Sequence, residues 1–123
     1  IFAGKDDILP EEKQNMEGVI AMIYVLATSE LQEGCREKFL EILKANVPLV
    51  RAEEGCLQYE TCVDFASGLS AQKEVRPDTV TIIEGWESMD HLMKHLQSAH
   101  MAEYRKKISG MRKSSTMNVV TPA

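Results

Sequence analysis

The chain has 123 residues, 44% of them hydrophobic and 27% charged, with a formal net charge of −5. That is the size and composition of one soluble globular domain, and the acidic balance argues against nucleic acid or an anionic membrane as the main partner. The longest apolar run, Val19–Ala27, has nine residues, far short of the roughly 20 that span a bilayer, and no stretch has the charged, apolar and small-residue order of a signal peptide.

Residues 1–16 read as a flexible N-terminal arm, vector-derived or native, outside a single domain over 17–123. Val19–Ala27 (VIAMIYVLA) is β-rich and apolar at both parities, the mark of a strand covered on both faces. Thr28–Gly34 reads as a polar turn. From Cys35 to about Arg51 the spacing is helical, with Phe39, Ile42, Leu43 and Val47 on one face. Pro48 is expected to kink or loosen the last turn, and Gly55, after Glu53 and Glu54, suits a left-handed cap.

Leu57–Val63 alternates apolar with polar residues, as an edge strand does. Phe65–Asp78, with Gly68, Ser70 and Pro77, is too long for a tight hairpin and reads as a lid or an arm. Next comes a strand that ends on the single tryptophan: Val80, Ile82, Glu84 and Trp86 share one face, Thr81, Ile83 and Gly85 the other. Glu84, costly if buried alone, is expected in a salt bridge with Arg or Lys. Ser88 is a good N-cap for the helix that follows. Met89, Leu92, Met93, Leu96 and Ala99 form its apolar stripe, with His95 on one margin, His100 on the other and His91 towards water. This helix is expected to reach about Ile108. Thr116–Thr121 is a last short strand.

The order is β-α-β-β-α-β, an α+β, ferredoxin-like pattern with an antiparallel sheet. Two helices cover one face of such a sheet. The first strand is apolar on both, so a second copy packed sheet to sheet, a homodimer, is the expected cover. Cys35, Cys56 and Cys62 are odd in number and lack CxxC spacing, which fits free buried thiols in a reducing cytoplasm better than a disulfide frame. His91 and His95 are four apart, but no further motif completes a metal site, and no GxGxxG-type turn is present.

Three segments in order, Glu53-Glu54-Gly55-Cys56, Ile83-Glu84-Gly85-Trp86-Glu87-Ser88 and His95-Leu96-Gln97-Ser98-Ala99-His100-Met101, resemble the antibiotic-biosynthesis-monooxygenase family and, within it, the bacterial quinol monooxygenases. The resemblance covers roughly Glu17 to the C-terminus. It implies a dimeric α+β barrel with one pocket per subunit, and oxidation of a quinol or related aromatic by molecular oxygen without flavin, haem or metal.

A hydroquinone hydroxyl is about as weak an acid as tyrosine, near ~10, so its ionisation at neutral pH needs a base. His95 is the first choice for that base. Trp86 is expected as an aromatic wall, Tyr59 or Tyr24 as a polar tip, and His100 as a further substrate contact. Each has a plainer alternative: Trp86 and Tyr59 as core residues, His95 as a satisfied helix-flank histidine, His100 as a donor to a backbone carbonyl. Haem degradation or small-molecule isomerisation on the same scaffold is the competing activity, although VIAMIYVLA lacks the Asn that haem-degrading relatives carry in the first strand. A non-catalytic dimer that binds a small ligand is the third reading.

Overall fold

The computed structural model describes residues 21–123. The expected N-terminal arm, and Val19 and Ile20 of the expected first strand, lie outside the described residues. The elements run β1 (Ile23–Leu31), α1 (Arg36–Arg51), β2 (Cys56–Cys62), β3 (Thr79–Trp86), α2 (Met89–Leu96), α3 (Ala99–Lys107) and β4 (Arg112–Val120). The four strands form one antiparallel sheet in the order β2-β3-β1-β4. This is the ferredoxin-like arrangement with its second helix divided, and β2 is an edge strand as its alternation indicates.

The first strand, Ile23–Leu31, runs on past the Ala27 end expected for it, because pairing outweighs composition. Thr28, Ser29 and Glu30 stay in register with Thr81, Val80 and Thr79 of β3, so the backbone ladder carries polar residues that look like a turn. Leu31, fully buried, closes the strand and donates its N–H to Asp78 O at 2.7 Å. The last strand likewise begins at Arg112, well before Thr116, since it follows β1 along its length.

Helix α1 buries Phe39, Leu43, Asn46, Val47 and Val50. Its last turn stays helical past Pro48, and Ala52 N–H reaches Pro48 O at 3.1 Å; the proline removes one donor without ending the helix. Gly55 has φ +84°, and a Cβ there would stand 2.2 Å from Cγ of His91. The half-buried His91 therefore packs on this glycine, its Nδ1 2.7 Å from Ser88 Oγ, rather than pointing to water.

The expected helix from Met89 to Ile108 is two helices. Ser98 breaks it: its hydroxyl donates to His95 O at 2.8 Å and accepts from Met101 N–H at 3.4 Å, capping α3. The short α2 turns Leu92 and His95 to the core and leaves Met89 and Met93 exposed, so its inward row is not the centre of the apolar stripe. Met101, Tyr104 and Ile108 then pack with Phe39 and Leu43 of α1 over Val25, Val80 and Ile82 of the sheet.

Tyr24, Leu26, Ile83 and Val120 fall on the opposite sheet face. Leu26 and Val120 are each 41% exposed there, and β4 is exposed along its whole length. Cys35, Cys56 and Cys62 are free thiols, half-buried rather than buried. Among the described residues, no helix is long and apolar enough to cross a membrane.

Candidate active site

His95 is the most buried histidine, 1% exposed, on the inward row of α2. Burial alone would strip an imidazole of its hydration, and three neighbours compensate. Trp86, at the end of β3, lies against the ring with centroids 4.7 Å apart, and Tyr59 of β2 meets it edge-on at 5.7 Å. Glu53, in the turn between α1 and β2, accepts a hydrogen bond from Nδ1 at 2.8 Å. The turn is held against β2 by Arg51, whose guanidinium donates twice to Tyr59 O.

With Nδ1 committed to Glu53, the other nitrogen, Nε2, has no partner among the described residues, and the ring lines a cavity of about 210 Å³. Burial lowers the pKa of His95 below the ordinary histidine value, while the Glu53 carboxylate opposes the shift. The ring is accordingly neutral at neutral pH, with a lone pair free at Nε2.

The cavity lies between the sheet and the helices. Tyr59, Ile82, Glu84, Met101 and Tyr104 line it with His95. Tyr59, Glu84 and Val25 stand in one row across three strands. Burial raises Tyr59, with the Glu84 charge adding to the shift, and burial pushes Tyr104 up to about 12, so both keep their O–H groups. Glu84 makes no salt bridge among the described residues. Its partner is the Trp86 indole, which donates from Nε1 at 2.9 Å, and burial pushes the carboxyl up to about 7. Arg105 and Arg112 line the same cavity but form no ion pair with Glu84 among the described residues, so burial dominates and its charged and neutral forms are both accessible near neutral pH.

Residues 22–107 match the family described as antibiotic biosynthesis monooxygenase. The chain belongs to that family. It is 36% identical over 103 residues to Escherichia coli (strain K12) YgiN, described as a probable quinol monooxygenase; the match covers 82% of this chain and 98% of that protein. In fold it is similar to a conserved protein of Methanosarcina mazei Go1 (TM-score 0.72, 20% identity, 88% of this chain and 99% of that one). Its fold is also similar to that of PA3566 from Pseudomonas aeruginosa (TM-score 0.71, 21% identity, 85% of this chain and 97% of that one).

Within this antibiotic biosynthesis monooxygenase domain, only two of the five candidate residues, His95 and Tyr59, line the cavity. Trp86 is fully buried behind His95 and backs its ring instead of forming the cavity wall. Tyr24 lies on the other sheet face, opposite Gly85, because strand parity puts Val25 inward. His100 lines a different cavity, between α1 and α3, since the break at Ser98 swings it away. Its Nε2 stands 3.0 Å from Glu53 Oε2 but off the line of a hydrogen bond, and it does not donate to a backbone carbonyl.

Glu53, Glu84 and Tyr104 were not among the site residues that the sequence pointed to, Glu84 being expected only as half of a salt bridge. Glu53 carried one signal, its place in the EEGC segment beside the cap; nothing local ties it to a histidine 42 residues away. Among the described residues, no three His, Cys, Asp or Glu side chains are placed to hold a metal ion.

Proposed function

We propose that the chain is a quinol monooxygenase that oxidises a hydroquinone or related phenol with molecular oxygen, using no organic or metal cofactor. One observation carries this reading: a buried, neutral histidine fixed at Nδ1 by Glu53 lines a cavity where Tyr59, Tyr104, Ile82 and Met101 stand beside the polar Glu84, Arg105 and Arg112. The match to a protein described as a probable quinol monooxygenase supports the substrate class.

His95 Nε2 takes the proton of the substrate hydroxyl, and Glu53 stabilises the imidazolium that forms. The quinolate is electron-rich enough to reduce oxygen. One oxygen atom bonds to the ring and the other leaves as water, so hydroquinone and O₂ become hydroxyquinone and water. Tyr59 and Tyr104 supply O–H donors near the oxygen that accumulates charge. The site works in a homodimer closed through the exposed face of Leu26 and Val120. Oxygen uptake with a panel of reduced quinones, with and without chelator, tests the reading. Turnover that survives chelation and is abolished in His95→Ala supports it; a need for added flavin or metal removes it.

A further inference from the structure

Helices α1 and α3 enclose a second cavity, about 260 Å³, that shares only Tyr104 with the first. His100 lines it beside Asn46, Tyr104 and Lys107. Both His100 ring nitrogens are shut from water and lack a hydrogen-bond partner, an unusual state for buried polar atoms. Yet Nε2 is 3.0 Å from the same Glu53 Oε2 that accepts from His95 Nδ1 at 2.8 Å. A single carboxylate oxygen thus stands between two imidazoles, one facing each cavity, with ring centroids 6.4 Å apart. A small ring rotation would align His100 with that oxygen.

We infer that Glu53 and His100 form a proton path behind the base, running from His95 Nδ1 through Glu53 Oε2 to His100 Nε2, beside the second cavity. The inference rests on the reading of His95 as the base. A substrate in the first cavity blocks the Nε2 side of His95, whose ring is almost without exposure. While substrate is bound, a proton can move only through Nδ1. Nε2 takes the hydroxyl proton, Nδ1–H passes to Oε2, and the O–H of Glu53 passes to His100 Nε2. Hydroxyquinone and water form with no net release of protons. The path therefore holds the proton away from the quinolate while oxygen reacts, then returns it through His95 to the oxygen that leaves as water. Glu53 and His100 act through His95 and are positioning residues, not catalytic ones.

The test is oxygen uptake by the purified full-length protein at saturating quinol and fixed pH, with imidazole titrated in. His100→Gln is expected to lose about tenfold in turnover, less than loss of the base itself, with KM unchanged. Imidazole, small enough for the second cavity, should restore most of that loss. It should not accelerate the parent, nor restore Glu53→Gln, in which the link to His95 is cut. Parental turnover in His100→Gln, or a loss that imidazole leaves untouched, overturns the path. Should His100→Gln fail to fold, His100→Asn carries the same comparison. A parent without oxygen uptake, or His95→Ala at the parental rate, removes the base and the path together, an outcome distinct from failure of the path alone.

Discussion

Trp86 Nε1 donates to Glu84 Oε1 across 2.9 Å, two residues apart on the same face of β3. The bond gives each group a partner inside the core and holds the indole behind His95, its plane tilted 34° from the imidazole. It also sets how stability depends on pH. Burial raises the Glu84 carboxyl from its ordinary 4.5 to about 7, the Trp86 hydrogen bond opposes this, and the Glu53 charge adds to it. A carboxyl raised by folding binds its proton more tightly in the native state. Its stabilising contribution is therefore full below about 4.5 and is lost as pH climbs through about 7. Across that window the parent should lose on the order of 3 kcal/mol relative to Glu84→Gln. His95, with its pKa lowered, drifts in the opposite sense, and the comparison of two proteins that both contain it cancels most of that drift. Denaturant unfolding of both proteins at acid and at mildly alkaline pH measures the difference; parallel pH profiles would refute a buried, titrating Glu84.

The base sets the pH dependence of activity. Since burial holds the His95 pKa below the usual histidine value, quinol oxidation should rise with pH through an ionisation under ~6.5 and level off by neutrality. His95→Ala should lower turnover by about 10²–10⁴-fold. A folded variant at the parental rate would end the assignment.

Gly55 answers to two constraints at once, a left-handed φ of +84° and the His91 ring against its Cα. Gly55→Ala should destabilise by roughly 1–2 kcal/mol from the backbone alone, with the clash added. His91→Ala in the same chain removes the clash and leaves the backbone strain, so the double variant should recover part of the loss in thermal unfolding. Strictly additive effects would show that the two residues do not press on each other.

The long loop is clamped at its base, where Arg76 donates to Asp64 from its backbone N–H, Nε and Nη2 at 2.8 to 3.0 Å. Between those residues Phe65 is 79% and Leu69 70% exposed, and no residue of the loop lines the cavity beside His95. That placement favours an arm over a lid. Removing residues 66–74 should leave the fold and the KM for quinol intact and weaken self-association, measured by sedimentation equilibrium. A raised KM with unchanged association would restore the lid.

The parent itself should sediment as a dimer at micromolar concentration, burying upward of ~2,000 Å² in total. Leu26→Lys, on the uncovered sheet face, should dissociate it without unfolding the chain. A monomeric parent would leave that face without its proposed cover.

What the chain determined on its own was whatever depends on neighbours in sequence. Helical spacing in α1, alternation in β2, the Ser88 cap and the left-handed Gly55 are local, and each stands where its residues placed it. The proximity of Trp86 to His95 was legible for the same reason, since a strand end runs straight into a helix. Tertiary structure decided the rest. Where β1 stops is set by pairing with β3 and β4, not by where its apolar run ends, and that register sends Tyr24 outward. The Ser98 hydroxyl has the choice of solvent or the chain's own backbone; in the fold it takes His95 O and Met101 N–H and divides one helix into two. Above all, Glu53 reaches His95 and His100 only because the sheet brings the turn after α1 beside α2 and α3. No periodicity encodes a contact between residues more than forty positions apart; it exists once burial of the core has fixed where three elements meet.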